Sequence, residues 1–397
     1  MNFSPFSIKN LLKHEEKWCN FMGYFNPYLD PFKNHLTDKV TIYDKAAYYK
    51  YPEHNYVYDK LWVAKSQNLN CGELEELKGK ENSITYPIFI KPRWGHLSAT
   101  SKNCFKIHNS DDLKKYSNFK YMMWSDFIDG TEGMTDYILL NGNIVHQITY
   151  VYSDKQNGFT EEWKLISPHS EPPTVITEWV KEHMRNYTGI VNMQYRNDKI
   201  IEVSLRFARG GAYIINTDNK ALLANIHNVV ANNFWDFSLQ HKMKFKPYYS
   251  IKCFTTLPII YIFPQHVLDF LVKSQTSHGF YEYYFEPAGK EGTVFLQFMH
   301  DDLEKGLAAK KRIEFIFNAA QIIMTILIII AIIVLFSKFK YKYVFSLAVL
   351  GIFLTRYLNP IVANYNLYKA QKQSIFGDGP TNDPNEEVET FDPITGI

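Results

Sequence analysis

The stretch IVNMQYRNDKIIEVSLRFARGGAY at 190–213 alternates apolar and polar residues twice over, and no other pattern in the chain limits the fold as tightly. Val191, Met193 and Tyr195 share one parity and Asn192, Gln194 and Arg196 the other. Beyond the break, Ile201, Val203, Leu205 and Phe207 alternate with Glu202, Ser204 and Arg206. A period of two marks a strand with one buried face. Asn197-Asp198-Lys199 is turn-prone, so the two runs read as a hairpin. Their apolar sides reach one face only if the loop holds an odd number of residues, because a one-residue slip turns every side chain over. A three-residue loop sets Gln194 opposite Glu202 and Asn192 opposite Ser204. The hairpin then has a core face and a face of amides, a carboxylate and a hydroxyl.

Composition narrows the setting. The 397 residues suffice for two or three domains with real cores. A net charge of +2, without a basic run interleaved with aromatics, argues against a nucleic-acid partner. Cys19, Cys71, Cys104 and Cys253 form no CxxC or Cys/His spacing, so they read as reduced thiols in a cytosol-facing domain without structural zinc. The N-terminal MNFSPFSIKNLLKHEEKW carries charges where a cleaved secretory signal needs an apolar core, so none is expected.

The C-terminal part differs. Phe315–Phe336 is apolar for about 22 residues, interrupted only by Asn318, Gln321 and Thr325, which is long enough to cross a bilayer as a helix. A shorter apolar run, Tyr343–Leu358, either spans or lies in the interface, giving one or two C-terminal transmembrane helices over 312–363. Lys305, Lys310, Lys311 and Arg312 before the first run, with Arg356, Lys369 and Lys372 after the second, outweigh Lys338, Lys340 and Lys342 between them. Both termini and the soluble domain are therefore expected on the cytosolic side of the membrane. The acidic, Pro-containing segment 364–397 reads as a disordered tail.

Residues 1–55 are aromatic-rich, punctuated by Pro27, Pro31 and Pro52, and hold no strand followed by a Gly-rich turn. A helical pattern begins at Asp59-Lys60, with Leu61, Ala64 and Trp62 as inward candidates. Ile88–Ile90 forms a strand ending in Lys91, and Cys104–Ile107 its return strand. Gly95, Ser98, Ala99, Thr100 and Ser101 between them are small enough for backbone N–H groups to approach an anion, with Lys91 beside it. A short helix follows with Ser110 as N-cap, then strands through Ile128, Leu140 and Val151, turning at Asp129-Gly130 and Asn141-Gly142. A helix over Thr174–Tyr187 leads into the hairpin. After about residue 231, Tyr248–His300 reads as a β-α-β-β appendage, and Asp301-Asp302 caps a helix entering the membrane. Taken singly, a lysine at a strand end or a carboxylate beyond a turn is an ordinary solvated side chain.

Taken in order, the elements of residues 56–230 resemble the ATP-grasp superfamily. The hairpin NMQYRNDKIIEVSLRFARGGA is similar to that of carbamoyl phosphate synthetase and other carboxylate-amine ligases, which carry Asn-x-Gln, a turn, then Glu, Asn, Pro and Arg. The resemblance implies an α+β fold in which two subdomains clamp ATP. It also implies a Mg²⁺-dependent ligase that activates a carboxylate as an acyl phosphate for attack by an amine or similar nucleophile. It assigns Gln194, Glu202 and Ser204 to Mg²⁺, which takes hard oxygen ligands. Arg206 and Arg209 fall to the transferred phosphoryl group, as catalytic residues. Lys91 and Lys60 fall to the phosphates, Ser98 to the phosphate loop, Asp126 to the adenine hinge and Glu132 to the ribose. The chain departs from the pattern at Ser204, where the family usually has a metal-ligating asparagine, at Leu205 in place of proline, and in the single glycine of RWGHLSATS. The segment before Lys60 is shorter than the usual N-terminal substrate domain. Two readings stay open: a membrane-anchored ligase acting on an unknown small-molecule or peptide acceptor, or an ATP-binding scaffold that has lost turnover.

Overall fold

A computed structural model describes residues 40–41, 43–97, 104–116, 119–153, 161–208, 219–243, 246–257, 265–275, 281–282, 286–287, 292–338 and 340–351. Helix α1 (Asp44–Lys50) and a 3-10 turn at Asn55–Tyr58 lead into α2 (Lys60–Ser66). Asp59 caps α2, its Oδ1 accepting from the Leu61 backbone N–H at 3.0 Å, as a short helix requires where its first donors lack partners. Strands β1 (Cys71–Glu73), β2 (Ile88–Pro92) and β3 (Phe105–Ile107) precede α3 (Ser110–Lys114) and β4 (Met122–Asp126). The cap of α3 is Asn109 rather than Ser110, because its side chain reaches Asp112 N at 2.9 Å and leaves Ser110 inside the first turn.

Next come β5 (Glu132–Leu140), β6 (Asn143–Tyr152), β7 (Trp163–Ser167), α4 (Thr174–His183), β8 (Gly189–Arg196), β9 (Lys199–Ser204) and α5 (Lys220–Asn232). Helix α4 stops four residues before Tyr187, where Asn186 takes a left-handed φ of 63°. The chain continues through β10 (Tyr248–Thr255), α6 (Gln265–Gln275), β11 (Tyr281–Glu282), β12 (Glu286–Pro287), β13 (Thr293–His300), α7 (Leu303–Leu335) and α8 (Lys342–Gly351). The chain is thus a mixed α/β protein with two compact units. One lies within Asp30–Asp154 and Lys164–Tyr248, and the other within Met1–Leu29, Lys155–Trp163 and Tyr249–Ile397.

The first unit holds two antiparallel sheets. The smaller has the order β1-β4-β2-β3, and the larger contributes β7-β6-β5-β8-β9. The outer face of the small sheet packs Ile88, Ile90, Ile107, Met122 and Trp124 against Leu74, Leu77 and Leu113. Its opposite face takes Leu61 and Ala64 of α2 against Met123. The core face of the large sheet, with Tyr137, Val191, Met193, Tyr195 and Val203, buries Trp179 and Val180 of α4 and Val63 of α2. Trp62 is half-buried beside this core, edge-on to Trp179 with centroids 5.9 Å apart. Alternation along β5, β8 and β9 therefore sends the intervening polar residues to the other face.

The hairpin reaches the expected register by a different route. Gln194 lies opposite Glu202 and Asn192 opposite Ser204, but Arg196 already pairs with Lys199, so the turn has only Asn197 and Asp198. Asn197 takes φ 49°, as a tight hairpin turn demands. Parity is restored by a bulge: Ile200 pairs with Tyr195 and takes the core position, and Ile201 is the extra residue. The edge of β9 is also covered, since the Gln67 amide donates to Ile200 O at 2.9 Å and accepts from Ile200 N at 2.6 Å.

In the second unit, β11 and β10 flank β13, and β12 also pairs with β13. Ala309, Ile313 and Phe317 at the start of α7 join Ile251, Phe295 and Phe298 in its core. Asp302 caps α7 by accepting from Lys305 N at 3.0 Å. Further along, α7 is long and apolar enough to cross a membrane, and its apolar stretch is mostly exposed. Helix α8 turns back on it, with Ser346 Oγ donating to Ala331 O at 2.7 Å.

Candidate functional site

The polar face of β5, β8 and β9 forms three rows across the sheet. Glu132 lies opposite Arg196, Met134 opposite Gln194 and then Glu202, and Asp136 opposite Asn192 and then Ser204. Lys60 from α2 and Lys91 from β2 reach the second row from the small sheet's side. Lys60 Nζ is 3.4 Å from Glu202 Oε1, and Lys91 Nζ donates to Ile201 O at 2.7 Å. The bulge that restored register thus presents the carbonyl that Lys91 takes. Burial, followed by the charge of Lys60, pulls the Lys91 ammonium down to about 8, while Glu202 opposes that fall.

Lys60 is held by a brace. Arg93 donates from Nε and Nη2 to the Asp59 carboxylate at 2.9 and 2.6 Å, and from Nη1 to Glu73 at 2.6 Å. Lys60 N donates to Arg93 O at 2.9 Å and Gly95 N to Tyr58 O at 2.8 Å, so the segment after β2 is tied to the start of α2. A Cβ on Gly95 would sit 3.4 Å from Lys60 Cε and 3.5 Å from Glu202 Oε1. Any side chain larger than a methyl at this position would crowd the Lys60–Glu202 pair.

Gln194 donates its amide nitrogen to Glu132 Oε1, and Arg196 Nη2 donates to Glu132 Oε2 at 3.1 Å. With its nitrogen engaged, Gln194 has its carbonyl oxygen, the end a hard cation uses, on its other side. Arg206 lies past the end of β9. Its Nη2 meets Asp44 Oδ2 at 2.5 Å and its Nη1 donates to Phe207 O at 2.9 Å. Burial disfavours the Arg206 charge, yet Asp44 overrides it and raises the guanidinium above its ordinary value. Ser204 is buried beside Asn192.

The structure therefore brings together Lys60, Lys91, Glu132, Gln194, Glu202 and Ser204 on one face, with Arg206 at its end. Asp126 is not part of that face: it ends β4 on the small sheet, opposite Ile88, and accepts from Asn70 Nδ2 at 3.3 Å. Ser98 and Arg209 lie outside the described residues. Asp136 was not singled out from sequence. It is 1% exposed and accepts three hydrogen bonds, from Tyr150 OH at 2.6 Å, Asn192 Nδ2 at 2.8 Å and Ala208 N at 3.0 Å. Burial lifts its carboxyl to about 6 against the pull of these donors. Its parity with Glu132 in EGMTDYILL was the available signal.

Among the described residues no group of three or more His, Cys, Asp or Glu side chains could hold a metal. A Mg²⁺ ion bound largely through substrate phosphates needs only one or two protein carboxylates, and Glu202 with the Gln194 carbonyl fits that donor set.

No family model and no curated protein matches the chain. Solved structures do resemble it. They include an L-amino acid ligase from Bacillus licheniformis, at 15% identity over 64% of this chain and 69% of that one, with a TM-score of 0.42. A carboxyaminoimidazole ribonucleotide synthase from Aspergillus clavatus, solved with ATP, matches at 10% identity over 67% and 75%, with a TM-score of 0.46. A phosphoribosylamine–glycine ligase from Thermotoga maritima matches at 12% over 65% and 76%, with a TM-score of 0.45. The likeness is remote in both sequence and superposition.

Proposed function

We propose that the chain is a membrane-anchored ATP-grasp protein, an ATP- and Mg²⁺-dependent ligase that activates a carboxylate as an acyl phosphate for attack by an amine or similar nucleophile. The observation that carries this reading is the meeting of Lys60, Lys91, Gln194 and Glu202 between the two sheets, with Glu132 beside them. Two ammonium groups against one carboxylate favour a polyphosphate over a lone cation. Lys60 and Lys91 bind and orient the phosphates, Glu132 accepts from ribose hydroxyls, and Glu202 and the Gln194 oxygen would hold the metal. Bound Mg²⁺ would screen charge on the transferred phosphoryl group. Arg206, positioned by Asp44, adds a fixed cation beyond Ser204, where developing charge is stabilised without reorganisation. Helix α7 anchors the protein in the bilayer, its exposed Ile322, Ile323, Ile326, Ile329 and Ile333 facing lipid.

The second reading, a nucleotide-binding scaffold without turnover, is favoured by Ser204 in the asparagine position and by the engagement of Arg206 with Asp44. The two separate in one assay. Full-length protein in detergent is incubated with Mg-ATP and a pool of cellular metabolites, and ADP release is followed. A ligase releases ADP in response to a component of the pool, and Glu202→Ala abolishes that release while the protein stays folded. Undiminished release by Glu202→Ala would refute the assignment of the site, and nucleotide binding without release under any condition would select the scaffold.

A further inference from the structure

We infer that Lys60 is a resident counter-ion of Glu202, occupying the carboxylate a divalent cation needs, so that the metal binds only together with a nucleotide polyphosphate and not alone. The inference rests on the Mg-ATP reading of this face and adds the order in which its ligands can enter. Lys60 Nζ stands 3.4 Å from Glu202 Oε1 with a side chain only 6% exposed, against 33% for Glu202. Its backbone is fixed, because its N–H is bonded to Arg93 O and its cap Asp59 is gripped by Arg93.

The electrostatics set the direction. The charge of Lys60 disfavours that of Lys91, while Glu202 favours the Lys91 charge and pairs with Lys60. A dication approaching Glu202 alone meets two ammonium groups at short range in a partly buried site, where repulsion is weakly screened. A polyphosphate reverses the balance. Its oxygens accept from Lys60 and Lys91, which frees Glu202, and its negative charge offsets the incoming dication. Gln194 is already oriented by Glu132, so Lys60 is the group that must change partner.

The test uses Mn²⁺ as the probe, with free Mn²⁺ read by electron paramagnetic resonance in detergent-solubilised full-length protein. Wild type is expected to take up no Mn²⁺ through Glu202 without nucleotide, and to take up one ion in a Glu202-dependent way when a non-hydrolysable ATP analogue is added. Lys60→Met is expected to gain nucleotide-free Mn²⁺ affinity by about tenfold or more. Lys60→Met/Glu202→Gln should lose that gain, and Lys60→Arg should behave as wild type. If Lys60→Met does not fold, Lys60→Gln carries the same comparison. Glu202-dependent Mn²⁺ uptake by nucleotide-free wild type would overturn the inference, as would no gain in either neutral variant while the analogue still recruits Mn²⁺ to wild type. Failure of wild type to bind Mn²⁺ with the analogue would overturn the Mg-ATP reading, and this inference with it.

Discussion

Among the described residues, the ion-paired lysines of the two units are used differently. In the second unit, Lys252 is 3.0 Å from Glu161 with both side chains buried, and Lys310 is 2.9 Å from Glu162 and 3.6 Å from Glu314. Each cation there has a carboxylate of its own. On the face of the first unit, Lys60 meets Glu202 while Lys91 is held by a neutral carbonyl, so among the described residues Glu202 is the carboxylate paired with Lys60 beside Lys91. Closed ion pairs are a structural use of charge, whereas the pairing of Lys60 and Lys91 around Glu202 is the arrangement on which the proposed Mg-ATP site is built.

The contrast can be broken by removing a lysine from each side. Lys252→Met leaves Glu161 buried without its cation and should cost about 3–5 kcal/mol of stability. Nucleotide affinity should stay unchanged, and Lys252→Met/Glu161→Leu should recover most of the loss in chemical denaturation. Lys91→Met should do the reverse, weakening Mg-ATP binding by about tenfold to a hundredfold, as loss of a charge-assisted hydrogen bond implies. Its unfolding midpoint should hold or rise, because a buried ammonium is no longer required.

Asp136 adds a pH test of intermediate size. Its folded carboxyl titrates at about 6, above the ordinary aspartate value of 3.8, so the native state holds its proton where the unfolded chain has released it. This contribution is fully present below the unfolded value and is lost as pH rises through about 6, amounting to about 3 kcal/mol. Wild type should therefore gain stability relative to Asp136→Asn between pH 7 and pH 4.5, measured by denaturant midpoints, and a flat difference would contradict the buried carboxylate.

The smallest expected effect concerns Lys91. Its folded ammonium titrates at about 8, below the ordinary lysine value of 10.5, so a rise from pH 7 to pH 9 discharges the cation proposed to bind phosphate. Mg-ATP affinity should fall over that range by at most about tenfold per unit, and the slope should vanish in Lys91→Met.

Much of this arrangement was legible in the chain because it rests on parity. The pairing of Gln194 with Glu202 follows from alternation once both apolar faces must meet in one core, as does the separation of Tyr195 and Val203 from the polar face. How the register is achieved was not legible. The bulge at Ile201 is tied to Lys91 and lies beside the Gln67 contact with Ile200, partners more than a hundred residues away. The same distance hid the pairing of Arg206 with Asp44, since nothing local in DKAAYYK calls for a guanidinium. Asp136 could have been found, because it shares a face with Glu132, but an aspartate among apolar strand residues gives no sign of three converging donors. The Asn109 cap was missed by one residue because both Asn and Ser suit that place.

Glu202, as the proposed carboxylate for Mg-ATP, is the residue on which the site depends most. Isothermal titration of ATP into the full-length protein, with and without Mg²⁺, tests it directly in wild type and Glu202→Ala. One saturable, Mg²⁺-dependent site in wild type, lost in Glu202→Ala, is the predicted result. Absence of binding at millimolar Mg-ATP, or Mg²⁺-dependent binding unaffected by Glu202→Ala, would contradict it.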